Sequence, residues 1–285
     1  MNLKIKAYLL IIVLAICWGS IPLIIRTSDV SPLSLVGIRT FLGTFFLLML
    51  YVFKKTKITK ELIYTGLIMG PLLAVHWSTM FKSIELNSVA VGIGLVFSYP
   101  IFVLLIEYLR GKKITILQGV VVLVGFIGLF LLLDFSTISS FKGVSYGLVS
   151  ALTLSILIIY GSSKSDTFGG FNVAFVQVLF AAVILSPFTY EGFAWMIENL
   201  LVSLFLGFFL TGVGLAVYWY VVKIISPISV GTITYLEPVT GVIIGALILN
   251  EELKISQYIG FAIVLIVGSV QFIIDTKNRA LFPEI

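Results

Sequence analysis

Ten apolar runs, each about as long as a membrane-spanning helix, dominate this sequence of 285 residues. A helix needs about 20 predominantly apolar residues to cross the hydrocarbon core of a bilayer. The runs cover roughly residues 7–25, 33–53, 62–81, 88–109, 115–133, 143–160, 171–190, 199–222, 229–249 and 256–274. The sequence therefore predicts an all-α membrane protein of ten transmembrane helices. Apolar residues make up 60% of the chain and charged residues 11%, which excludes an ordinary soluble domain.

Lysine and arginine residues are distributed unevenly over this ten-helix arrangement. Of the 18 such residues, 13 fall on the side of the two termini, and Arg39 falls within the second run. The four on the opposite side are Arg26, Lys82, Lys142 and Lys254. Loops rich in lysine and arginine stay in the cytoplasm, so we expect both termini on the cytoplasmic side of a cell membrane. The net charge of +5 follows from this topology and does not indicate a nucleic-acid partner.

The two halves of the sequence align with each other at an offset of 138–139 residues. Pro100 then pairs with Pro238 inside two apolar runs, and Gln118 pairs with Gln257 in the segments that follow them. Identities are few, but the alignment places both prolines and the loops after them in register. The sequence therefore predicts an internal repeat.

The predicted repeat has an odd number of helices. Residues 1–137 and 138–285 each hold five apolar runs, so the second half must cross the membrane in the opposite direction to the first. Two inverted five-helix repeats are a common construction of secondary transporters, whose substrate site lies near the bilayer midplane between the halves. This pattern favours transport by alternating access over a channel.

Three formally charged residues lie within the predicted spans: Arg39, Glu107 and Glu237. Ionisable groups inside a membrane are costly and are candidates for function. Glu107 is near the end of its span and close to Arg110, which favours an interfacial ion pair. Arg39 could bind an anionic group of a solute, or it could pair with a carboxylate to hold the fold together. No group of residues resembles an enzyme's catalytic set.

Glu237 is the strongest candidate because it lies near the middle of the ninth span. It precedes Pro238, which has no N–H to donate to the carbonyl of Thr234, so we expect a free acceptor beside the acid. Thr234, Glu237 and Gly241 form a small, polar face that should contact protein or water. Glu237 either is permanently protonated for packing or titrates and binds a proton or a cationic solute.

Aromatic residues and one histidine complete the candidate site. His76 in the third span is either a hydrogen-bonding group or a proton-coupling residue. The aromatic candidates for a cage around a ring or an alkylammonium group are Trp18, Trp77, Tyr99, Trp219 and Tyr235. The alternative is a belt of aromatic residues at the membrane interfaces.

The chain resembles the EamA family of the drug/metabolite transporter superfamily. The matching features are ten spans in two repeats, Trp18-Gly19, Arg39, the prolines at 100 and 238, and Asn250-Glu251-Glu252-Leu253 followed by Gln257. One departure is Gly111-Lys112, where the family usually has Gly-Glu. The resemblance implies a proton- or gradient-driven carrier of small metabolites, most often an exporter.

The sequence and the resemblance together predict a secondary, proton-coupled exporter of a small amphipathic metabolite such as an amino acid or an organic amine. Glu237 and His76 would couple transport to protons. The alternatives are an importer of a similar solute, such as a quaternary amine, and a membrane-embedded lipid-handling protein or enzyme. One cysteine and one histidine exclude a disulfide and a multi-histidine metal site, and no motif calls for a cofactor. Both a monomer and a homodimer remain open.

Overall fold

The computed structural model describes residues 3–54, 58–87, 89–133, 138–249 and 253–281. These residues form helices without strands, and ten of the helical segments are long and apolar enough to cross a membrane. This confirms the predicted fold class. The helices that form spans 1 to 10 are, in order, Leu3–Trp18 with Ile21–Thr27, Pro32–Lys54, Lys60–Leu86, Val89–Val96 with Tyr99–Leu109, Ile116–Leu133, Phe141–Phe168, Gly170–Glu191, Leu200–Leu204 with Phe205–Val213 and Gly214–Val222, Pro227–Ile233 with Leu236–Leu249, and Ile255–Leu281.

Spans 1, 4 and 9 are each interrupted near the middle. The interruptions are two-residue turns at Gly19-Ser20, Phe97-Ser98 and Thr234-Tyr235. A proline follows each turn within three residues: Pro22, Pro100 and Pro238. Proline lacks the N–H that would continue the helix and clashes with the preceding turn, so each proline accounts for the break before it. Discontinuous helices of this kind are typical of the centres of transporters.

The break in span 9 does not leave the carbonyl of Thr234 free, so that expectation is wrong. The backbone N–H of Glu237 donates to this carbonyl at 2.9 Å. This hydrogen bond joins residues three apart, as in a 3₁₀-helix, instead of four apart as in an α-helix. The N–H of Glu237 thus replaces the donor that Pro238 lacks.

Local structure is shared at positions that the sequence alignment pairs. The backbone N–H of Thr115 donates to Gln118 Oε1 at 3.0 Å, just before span 5. The backbone N–H of Lys254 donates to Gln257 Oε1 at 2.9 Å, just before span 10. In the alignment that pairs Pro100 with Pro238, the breaks of spans 4 and 9 fall within one residue of each other. The similarity of the halves thus extends from residue type to hydrogen bonding.

Glycines allow the spans to cross closely. A Cβ added at Gly260 in span 10 would lie 2.4 Å from the carbonyl oxygen of Gly128 in span 5. A Cβ at Gly70 in span 3 would lie 2.9 Å from the backbone nitrogen of Ala181 in span 7. Small residues at such crossings drive helix association in lipid, where apolar burial alone contributes little. Spans 5 and 10 pack on each other and leave the remaining spans around the centre.

Candidate functional site

A cavity of about 120 Å³, measured as the volume open to the centre of a water molecule, lies among spans 1–4 and 6–9. About 10–15 Å³ of such volume holds one water, so this cavity has room for a small molecule. Ile25, Ile84 and Ile93 line it close to the membrane face opposite the termini. Trp219 and Gln177 line its other end. Because Trp219 lies three residues before the end of span 8, the lining runs from the face opposite the termini to beyond mid-membrane.

Most of the predicted site residues meet in this cavity. Its lining includes Arg39, Trp18, His76, Trp77, Tyr99, Trp219 and Glu237. Two predicted residues lie elsewhere. Tyr235 is fully buried on the far side of span 9, where its hydroxyl donates to the carbonyl of Val122 at 3.4 Å and its ring packs on Gly125 in span 5.

Glu107 forms an interfacial ion pair outside the cavity. Its carboxylate is 2% exposed, accepts from Arg110 Nη1 at 2.8 Å and also pairs with the ammonium group of Lys112. Lys112 is the residue at which this sequence departs from the family pattern, and here it neutralises the buried acid. Glu107 therefore stabilises the end of span 4, as the interfacial interpretation predicts.

The carboxylate of Glu237 faces the cavity without a protein partner. Among the described residues it makes neither a hydrogen bond nor an ion pair, and it interacts at longer range with Arg39, Tyr99 and Tyr218. An acid inside a membrane normally pairs with another side chain or with backbone. Glu237 is therefore available to bind something that enters the cavity.

Arg39, by contrast, is held firmly. Its guanidinium lies over the ring of Trp77 at 4.0 Å, and its Nε–H donates to Thr211 Oγ1 at 3.0 Å. Cation–π contact in a desolvated setting contributes up to about 2 kcal/mol. The two contacts fix a positive charge on the cavity wall without pairing it with an acid.

Span 8 supplies the acceptors that hold Arg39 and Trp18. Its residues Phe205–Val213 form a π-helix, whose hydrogen bonds span five residues. The hydroxyl of Thr211 donates to the carbonyl of Leu206 at 2.8 Å, so its oxygen can accept from Arg39. The indole N–H of Trp18 donates to the carbonyl of Leu210 at 2.7 Å. Sequence analysis missed this segment, since a π-helix has no distinctive composition; such segments are frequent at functional sites.

His76 is tied to span 6 through one ring nitrogen. Its Nδ1 lies 2.7 Å from Ser150 Oγ, and that hydroxyl donates to the backbone carbonyl of His76 at 2.8 Å. Because the hydroxyl has one proton, its oxygen must accept from Nδ1–H. This network assigns the proton of the neutral ring to Nδ1 and leaves Nε2 as the nitrogen that can take up a proton.

Tyr99 connects the breaks of spans 4 and 9. Its hydroxyl is hydrogen-bonded to the hydroxyl of Thr234, and its backbone carbonyl accepts from Ser155 Oγ in span 6 at 3.0 Å. Thr234 itself donates to carbonyls of its own helix at 3.0 Å, so Tyr99 is the donor in the bond between them. The two broken helices are thus linked beside Glu237.

Comparison with known proteins finds one family and several relatives. The EamA-like transporter family matches residues 5–134 and again residues 141–273. An uncharacterized transporter of Clostridium kluyveri is 24% identical over 93% of this chain and 92% of its own length. The uncharacterized inner membrane transporter YedA of Escherichia coli is 25% identical over 95% of this chain and 90% of its own length.

A solved crystal structure shares the fold at 16% sequence identity. It superimposes with a TM-score of 0.76 and covers 94% of this chain and 99% of its own. The family and both relatives carry the name of transporter, which confirms the prediction of a transporter rather than an enzyme.

The contact between Arg39 and Thr211 yields a stability prediction. Thr211→Val removes the acceptor for a buried charged donor, so we expect thermal unfolding in detergent to show a loss of about 1–3 kcal/mol. Thr211→Ser keeps the oxygen and should lose less. Thr153→Val is the matched control, because the Thr153 hydroxyl bonds only carbonyls of its own helix. Equal stability of Thr211→Val and Thr153→Val would contradict a holding role for Thr211.

Proposed function

The chain belongs to the EamA-like transporter family, and from this membership we propose that it exports a small amphipathic metabolite in exchange for protons. The chain is a multi-pass membrane transporter. The solute we propose carries a positively charged group, as an amino acid or an organic amine does. Export, proton coupling and solute class are the parts that go beyond family membership.

The observation that carries this proposal is the unpartnered carboxylate of Glu237 in the cavity. A carboxylate in a membrane-embedded cavity is stable when a proton or another cation neutralises it. A proton and a cationic solute would therefore compete for Glu237. Because Glu237 would bind either a proton or the solute at one time, the protein would exchange one for the other across the membrane. With protons more concentrated outside the cell, exchange moves the solute out.

His76 is the second proton-coupling residue of the proposal. Its free Nε2 belongs to the same cavity as Glu237, while Nδ1 is fixed by Ser150. Protonation of Nε2 would add a positive charge to the wall that already holds Arg39. That charge would disfavour a cationic solute, which is the effect an antiporter needs on its proton-loaded side.

The walls of the cavity support an amphipathic solute. Trp18, Trp77, Tyr99 and Trp219 present ring surfaces, and Glu237 lines the same space. The face of Trp77 toward Arg39 is already used. The other rings would contact the apolar part of the solute or its cationic group.

We propose that residues 1–137 and 138–285 are inverted repeats that rock about this cavity. The family matches the chain twice, once in each half, and the breaks of spans 4 and 9 fall within one residue of equivalent positions. Inverted repeats with discontinuous helices at the substrate site work by alternating access. The linked turns at Tyr99 and Thr234 would then join one moving half to the other.

Charge distribution supports cytoplasmic termini. We expect a reporter phosphatase fused after Ile285 to be inactive in the cytoplasm. A fusion near residue 194, between spans 7 and 8, should be active. Both fusions are assayed in intact cells, with blotting as the expression control. An active C-terminal fusion would reverse the proposed orientation.

Glu237→Gln tests proton coupling. The substitution keeps shape and hydrogen-bonding capacity but removes titration, so the variant should fold and insert normally. Vesicles with an acidic lumen and wild-type protein should accumulate the labelled amino acid or amine that most raises thermal stability in a screen. We expect the Glu237→Gln vesicles to accumulate no more than protein-free vesicles do.

Glu107→Gln is the matched control, because that acid lies outside the cavity, and it should retain pH-driven accumulation. Counterflow at equal pH should survive in Glu237→Gln if the residue handles only the proton and fail if it also contacts the solute. If Glu237→Gln vesicles accumulate as much solute as wild-type vesicles, Glu237 does not couple transport to protons and has a packing role. Accumulation driven by an alkaline lumen instead would indicate symport and an importer.

A further inference from the structure

The cavity contains a second unpartnered polar group, the side-chain amide of Gln177 in span 7. The residue is fully buried and lines the cavity. Its Oε1 accepts from the indole N–H of Trp219 at 2.5 Å, whereas its Nε2 has no hydrogen-bond partner among the described residues. Several other buried side-chain polar atoms of the described residues also lack a partner, but of these residues Gln177 is the one that lines this cavity.

The orientation of this amide is fixed by chemistry. An indole N–H can only donate, so the atom that faces Trp219 must be the amide oxygen. The two N–H donors of Gln177 therefore cannot turn toward Trp219 without leaving two donors face to face. The unpartnered group is a donor and not an acceptor.

Packing also fixes Trp219, which in turn holds the amide. Trp219 is fully buried, and a Cβ added at Gly161 in span 6 would lie 2.2 Å from its ring. Tyr220, the residue after Trp219, is just as closely packed: a Cβ added at Gly170 in span 7 would lie 2.4 Å from its backbone nitrogen. The spans meet too closely here for the indole to move aside. The donor is thus preorganised, which lowers the entropic cost of binding.

We propose that Gln177 is a specificity-determining residue that donates a hydrogen bond to an oxygen acceptor of the solute. This rests on the proposed function, in which Glu237 takes the cationic group of the same solute. A solute that satisfies both must carry an ammonium group and an oxygen acceptor. An amino acid meets this requirement and a simple amine does not.

Arg39 strengthens the choice among oxygen acceptors. Its guanidinium lines the same cavity and has no acid paired with it among the described residues. A positive charge near a neutral donor favours a carboxylate over an uncharged carbonyl. The expected order of affinity is therefore amino acid, then amino ester, then amine.

Three ligands that share one side chain test this order on purified wild-type protein. The series is phenylalanine, its methyl ester and phenethylamine, with leucine, its methyl ester and isopentylamine as a second series. Loss of a hydrogen bond from a preorganised donor should weaken binding of the amine by about tenfold relative to the amino acid. The ester keeps the carbonyl acceptor and should fall between them. Calorimetry or tryptophan fluorescence measures the affinities.

Gln177→Met keeps the length of the side chain and removes both donors. In this variant the affinity ratio of amino acid to amine should fall several-fold, and the preference that remains is the part contributed by the charge of Arg39. Gln118→Leu is the control, because Gln118 lies outside the cavity, and it should keep the wild-type preference. The wild-type series tests the proposal even where Gln177→Met does not fold.

Equal affinity of wild-type protein for amino acid and amine would overturn the role of Gln177, and so would an undiminished preference for the amino acid in Gln177→Met. Glu237→Gln separates the two proposals. This substitution should lower the affinities for amino acid and amine by the same factor and leave the ratio of the two affinities unchanged. If the wild-type protein binds no ligand of either series, and no other amino acid or corresponding amine, the proposed function is overturned together with this inference.

Discussion

Every backbone N–H and C=O group in the hydrocarbon core of a membrane must find its partner within the protein, because that core offers no water. This chain interrupts three spans near mid-membrane and uses a π-helix in a fourth, and each irregularity exposes or rearranges backbone acceptors. In the π-helix, the backbone carbonyl of Leu210 accepts from the indole N–H of Trp18, and the side-chain hydroxyl of Thr211 accepts from Nε–H of Arg39. This segment therefore holds two of the polar side chains of the cavity.

Two side chains that line the cavity keep a polar group without a partner among the described residues. Glu237 is an acceptor and Gln177 is a donor, and both line the same cavity without a partner for the free group among the described residues. Between them lie aromatic walls and the fixed charge of Arg39. A solute with one cationic and one oxygen-bearing end would satisfy both groups, and a proton would satisfy Glu237 in its absence. Recognition and coupling then depend on the same pair of residues.

Much of the fold could be predicted from the sequence because the bilayer constrains it so strongly. Span length and apolar character locate ten helices, and the prolines locate the breaks of spans 4 and 9. Arg39, His76 and Glu237 could be placed in the cavity because ionisable residues avoid lipid. Tyr235 could not, since the adjoining turn directs its ring toward span 5. The π-helix also escaped prediction, because its composition is that of an ordinary apolar helix. Gln177 escaped prediction because an uncharged amide within a span is not an ionisable group and belongs to no motif.

In the proposed mechanism a proton and the solute compete for Glu237. Binding and proton affinity are reciprocally linked, so a solute that displaces the proton must release it to solution. Calorimetric binding in two buffers of different ionisation enthalpy measures this directly. At a pH where Glu237 is protonated, wild-type protein should release about one proton per solute bound, and Glu237→Gln should release none. Binding without proton release by the wild-type protein, or undiminished release by Glu237→Gln, would contradict the account.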